Sequence, residues 1–69
     1  MKNKRYTARE LNGMFPFQVL LFNPSTRRYR CISRHYSFNS AKMLMIYHHE
    51  KGELVKIKDI ITGEIFTID

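Results

Sequence analysis

Apolar residues in this chain come in short runs separated by turn chemistry. The first run, Phe15-Pro16-Phe17-Gln18-Val19-Leu20-Leu21-Phe22, lies between Gly13 and Asn23-Pro24-Ser25-Thr26. A run of that length, rich in aromatic and aliphatic residues, predicts a strand. Pro16 has no amide hydrogen to give to a ladder, so it belongs at the strand's start or on an edge. In the following turn Pro24 fixes φ, while Asn23 and Ser25 can bond their own backbone. The chain then runs back as a second strand through Arg27 to about Phe38, and Asn39-Ser40 marks a break.

Residues 41–51 fit two patterns. As a helix, the segment has Ser40 for an N-cap, the good helix formers Ala41 to Met45, and Gly52 at the position after the C-cap. As a strand, Met43–His49 pairs with Leu54–Ile60 around Glu50-Lys51-Gly52, a three-residue hairpin loop. Setting His49 opposite Glu53 places Tyr47 across from Val55 and Met45 across from Ile57, all on one face. A further turn at Thr62-Gly63, with Ile61 opposite Glu64, brings Ile57 across from Ile68 and Asp59 across from Phe66. Val55, Ile57, Phe66 and Ile68 then share the face of Met45 and Tyr47, and Lys56, Lys58 and Thr67 point the other way. Two turns that agree on one apolar face favour the strand.

At the N-terminus, Thr7-Ala8-Arg9-Glu10 fits a capping box and predicts a short helix over about 8–12, ended by Gly13. Leu11 and Met14 are expected to plug one end of the core. The expected fold is mainly β: a short N-terminal helix and about five antiparallel strands in a meander, forming a small SH3-like or OB-like, partly open barrel. The alternative is α+β, with a helix at 41–51. Residues 1–5 read as a flexible basic arm and 6–69 as a single small domain.

The size of the chain limits that core. Sixty-nine residues make at most one domain, with a core of marginal stability. Cys31 is the only cysteine, so no internal disulfide can reinforce it. A second subunit is one remaining source of stability, and a homo-oligomer is a reasonable expectation. The basic start Met-Lys-Asn-Lys-Arg-Tyr leads into no apolar h-region, and no run approaches the roughly 18 apolar residues of a membrane span. The expected protein is soluble, cytoplasmic and not membrane-bound.

Charge changes the picture most. Residues 1–42 hold nine Lys/Arg and one acid, a net of +8, and residues 43–69 hold three lysines and five acids, a net of −2. The basic half would attract a polyanion or an acidic protein surface. Its centre is Arg27-Arg28-Tyr29-Arg30-Cys31-Ile32-Ser33-Arg34-His35-Tyr36, which contains four of the six arginines. In a regular strand, Arg28, Arg30 and Arg34 would share one face with Ile32, Tyr36 and Phe38, with Tyr29, Cys31 and Ser33 on the other. A β-bulge near Ser33 would instead turn Tyr36 and Phe38 inward.

Guanidinium groups suit phosphates, and tyrosine rings suit stacked bases. The expected function is therefore nucleic-acid binding, DNA or RNA, through Arg27, Arg28, Tyr29, Arg30, Arg34, His35 and Tyr36, helped by Lys2, Lys4 and Arg5. No zinc-finger spacing or glycine-aromatic RNA-binding string supports it, and a charged strand that merely deters edge-to-edge aggregation has the same composition. The alternative is a small adaptor or inhibitor of a larger protein, of the kind that phages and mobile elements encode. Arg and Tyr are favoured at protein contacts, and Met43, Met45 and Tyr47 could form an adaptable surface if they are not core.

Metal binding is disfavoured. Cys31 and His35 stand about 13 Å apart on an extended strand, and His48 and His49 point to opposite faces of one. Cys31 is expected to be buried or half-buried as a small hydrophobe. No P-loop, dinucleotide-binding glycine pattern or nucleophile elbow occurs, so neither an enzyme nor a cofactor is expected.

Overall fold

A computed structural model describes residues 13–68. Four antiparallel strands form one open sheet: β1 (Phe17–Asn23), β2 (Arg28–His35), β3 (Val55–Asp59) and β4 (Ile65–Phe66). One helix, α1 (Phe38–Glu50), lies between β2 and β3 in the chain. The sheet order is β2-β1-β3-β4, so β1 and β3 are central and β2 and β4 are edges. The fold is mainly β, but the sheet does not close, and the expected five-strand barrel is corrected to an open sheet with a helix on one face. The helix expected over 8–12 and the arm over 1–5 lie outside the described residues. Met14 is 44% exposed and does not plug the core.

β1 begins directly after Pro16, where the missing amide hydrogen costs no ladder bond. The turn after β1 has the expected chemistry. Asn23 Oδ1 accepts from the Ser25 amide at 2.9 Å, and the Arg27 amide donates to the Asn23 carbonyl at 2.7 Å. The turn closes on Arg27 at φ 56°, left-handed backbone that a non-glycine residue rarely adopts.

The strand expected at 43–49 is instead the body of α1. Its N-cap is Ser37, three residues before the expected Ser40, and the Ser37 hydroxyl accepts from the Ser40 amide at 3.2 Å. At the other end Gly52 takes φ 80°, its amide donates to the His49 carbonyl, and the Glu53 amide donates to that of His48. This is a Schellman motif, which uses the same glycine that a hairpin would have used. Phe38, Ala41, Leu44, Met45 and His48 recur at three- and four-residue intervals on the inward side. Met45 belongs to both the alternating and the helical pattern, and for that reason the two turns agreed on a strand that does not exist.

A Schellman motif commonly carries an apolar contact between the two residues joined by its outer bond. Here they are His48 and Glu53, and Nδ1 of His48 lies 3.2 Å from Oε1 of Glu53, with Lys51 Nζ at 3.4 Å. The His48 hydrogen bond is the largest influence on the Glu53 carboxyl and holds it below its ordinary value. Partial desolvation opposes this, and the hydrogen bond and charge of Lys51 add to it. A carboxyl depressed in the folded state stabilises the fold above its unfolded pKa, and that contribution is lost as pH falls through the folded pKa. Glu53→Gln should therefore flatten the acid limb of a urea-midpoint-versus-pH curve. An unchanged limb would show that the carboxylate does not hold the end of the helix.

The core is Val19, Ala41, Met45, Val55 and Ile57, with Phe17, Leu21, Ile32, Phe38, Phe66 and Ile68 packed around it. Val55, Ile57, Phe66 and Ile68 share the apolar face, as expected. The β3–β4 register differs, however: Ile57 stands opposite Phe66 rather than Ile68. Asp59 Oδ1 accepts from the amides of Ile61 and Thr62, and the Asp59 carbonyl accepts from Gly63 at φ 82°. These bonds widen the turn and move the pairing by two residues. An even shift keeps every side chain on its face.

Candidate nucleic-acid interface

The pairing of β1 sorts the sheet into two faces. Phe17, Val19 and Leu21 face α1, as do their β3 partners Asp59, Ile57 and Val55. Gln18, Leu20 and Phe22 lie on the opposite, outer face, together with Lys58 and Lys56. No described element packs on that outer face.

β2 is not regular. Its pairing with β1 shifts between Val19, opposite Ser33, and Leu20, opposite Cys31. Ile32 is the extra residue of a bulge and packs toward the core. The bulge divides the arginines. Arg28 and Arg30 pair with Asn23 and Leu21 and take the α1 side, whereas Arg34 pairs with Gln18 and takes the outer side. Tyr29 and Cys31, opposite Phe22 and Leu20, are also on the outer side. The single row of Arg28, Arg30 and Arg34 expected of a regular strand is thus corrected by one inserted residue. Phe38 does turn inward, from the first turn of α1, but Tyr36 is 74% exposed.

The outer face combines aromatic and basic groups. The Phe22 and Tyr29 rings lie 5.2 Å apart, as expected of cross-strand neighbours. Lys56 reaches from β3 to place Nζ 4.0 Å from the Tyr29 ring centre, within cation–π range. Arg34 and Lys58 occupy one cross-strand row on either side of Gln18, and both are exposed. Ion pairs join Glu53 to His48 and to Lys51, at the far end of α1.

The remaining expected residues are dispersed. Arg27, Arg28 and Arg30 are exposed, at the turn and on the α1 side of β2. His35 is half-buried and bonded at both ring nitrogens, with Nε2 2.8 Å from Ser33 Oγ and Nδ1 2.8 Å from Ser40 Oγ. It joins the edge strand to the first turn of α1. Lys2, Lys4 and Arg5 lie outside the described residues. Cys31 was expected to be buried or half-buried but is exposed, because its edge-strand position falls on the outer face; its thiol donates to the Ser33 carbonyl at 3.3 Å. Among the described residues no three His, Cys, Asp or Glu side chains converge.

Phe22, Lys56 and Lys58 join the site without having been expected there. The alternation of Val55 and Ile57 with Lys56 and Lys58 already placed these lysines on a polar face. What could not be read was that β3 lies beside β1, so that their face continues that of Tyr29. No family model, curated protein or solved structure matches the chain. No helix among the described residues is long and apolar enough to cross a membrane.

Proposed function

We propose that the chain is a small nucleic-acid-binding domain whose contact surface is the outer face of the sheet. Its role is binding rather than catalysis. The observation that carries the reading is the Tyr29–Phe22 pair with Lys56 at the tyrosine ring, on a face turned away from the core that also carries Arg34 and Lys58 in the Gln18 row, roughly 13 Å along the strand. An aromatic ring on such a surface offers a base roughly 1–3 kcal/mol of stacking. The neighbouring cations add a sequence-independent, salt-dependent attraction to phosphate. Arg28 and Arg30, on the other side of β2, strengthen the field without touching a ligand on this face.

The test is oligonucleotide binding followed by fluorescence anisotropy. Replacing Arg34, Lys56 and Lys58 together by Gln should abolish measurable affinity. Replacing Arg28 and Arg30 by Gln should cost only a fewfold, because those groups act at a distance. Equal losses from the two variants would mean that no particular face binds.

A second reading takes a protein as the partner. It draws support from α1, where Met43, Ile46 and Tyr47 are 74%, 37% and 56% exposed at helical spacing. Met43→Ser with Tyr47→Ser should leave oligonucleotide affinity unchanged. A loss there would bring the helix into the binding surface.

A further inference from the structure

We infer that the ligand of the outer face is single-stranded, and that a base enters by displacing Lys56 from the Tyr29 ring. This rests on the nucleic-acid reading above and narrows it. A ring can stack only on a base whose face has left the helical stack, and a duplex presents base edges and phosphates instead. Tyr29 lies on an edge strand and is 40% exposed as a residue, where an extruded base can reach it.

The cations point the same way. The bulge at Ile32 sends Arg28 and Arg30 to the far side, so β2 offers no continuous basic row along which a duplex backbone could lie. What remains outside is a compact group, Arg34 and Lys58 in one cross-strand row and Lys56 beside them. That group suits a short length of one backbone.

The Lys56 ammonium now occupies a position over the Tyr29 ring, 4.0 Å from its centre. A stacked base at an exposed site outweighs a single cation–π contact. Lys56 gains in turn, since an ammonium leaving a ring for an adjacent phosphate exchanges a quadrupole for a full charge. Base and lysine therefore change places, and no cation is left buried without a partner. The same ammonium guards the ring in the unbound protein, where an uncovered aromatic face on an edge strand would invite self-association.

Two readings on the whole chain test this. Labelled single strands of about 12 nucleotides, DNA and RNA, are compared with their annealed duplexes at one salt concentration. Single strands should bind about tenfold or more tightly than the duplexes. In parallel, the Lys56 ε-methylene protons, which the Tyr29 ring should shift upfield in the unbound chain, should return toward ordinary lysine values on saturation. Equal or tighter duplex binding would overturn the single-strand inference and leave the nucleic-acid reading standing. Binding of neither form would end both. Single-strand binding with the Lys56 protons still upfield would overturn the exchange.

Discussion

Tyr29→Ala should weaken the proposed binding of a single-stranded oligonucleotide by roughly 10- to 100-fold, the equivalent of about 1–3 kcal/mol of lost stacking. Tyr29→Phe keeps the ring and should stay within a fewfold of the parent. The size of the effect follows from the position of the ring. Its backbone is held in register by β1, its side chain meets Phe22 at 5.2 Å, and its outward side carries no contact that a folded core needs. The thermal melt should therefore move little, since Tyr29 is 40% exposed on an edge strand. A Tyr29→Ala chain that binds as well as the parent would reduce the interaction to charge alone. The salt slope would then separate the two terms. Each removed outer cation should lower it by about 0.7 for a single strand, and the loss of Tyr29 should leave it unchanged.

Ile57→Ala has the largest expected effect on stability. Ile57 is fully buried and central to the sheet, opposite Val19 on one side and Phe66 on the other. Truncating such a residue costs about 2–5 kcal/mol through lost burial and the cavity left behind. A domain of this length has roughly 3–10 kcal/mol in total, so the variant should lose a large share of its stability and its urea midpoint should fall steeply. Ile57→Val should cost only about 0.5–1.5 kcal/mol. Ile65, 47% exposed on the outer face, is the control, and its replacement by Ala should shift the urea midpoint very little. Comparable losses at Ile57 and Ile65 would show that the two faces of the sheet have been assigned wrongly.

The two predictions probe opposite faces, and the two faces were not equally legible in the sequence. The inner face could be read well. Val55 and Ile57 alternate with lysines, and an alternation of period two survives even a register error, as the two-residue slip at Asp59–Gly63 shows. Asn23-Pro24 and Gly52 marked real chain reversals. What Gly52 joined was ambiguous, because positive φ serves a helix end and a hairpin equally well. The deciding signal was the spacing Phe38, Ala41, Met45, His48, which ends on a histidine rather than an apolar residue and so looks weaker than it is. His48 completes the inner stripe by bonding to Glu53.

The outer face could be read only in part. Tyr29 and Arg34 were singled out as types suited to nucleic acid, but their presence on one face depends on the bulge at Ile32. A bulge near Ser33 was one of two readings open in the sequence; the inserted residue is its neighbour Ile32, which packs against the core. Lys56 and Lys58 enter through the β1–β3 pairing, a contact between segments more than thirty residues apart in the chain. Strand order of that kind is a property of the assembled sheet. Composition supplied the residue types of the candidate surface, and topology decided which of them share a face.

The outer face as a contact surface is tested most directly by backbone amide chemical-shift mapping of the chain titrated with a single-stranded oligonucleotide. Shifts should concentrate at Gln18, Leu20, Phe22, Tyr29, Arg34, Lys56 and Lys58, with Met43 and Tyr47 on α1 unmoved. Shifts concentrated on α1, or spread evenly over both faces, would contradict it.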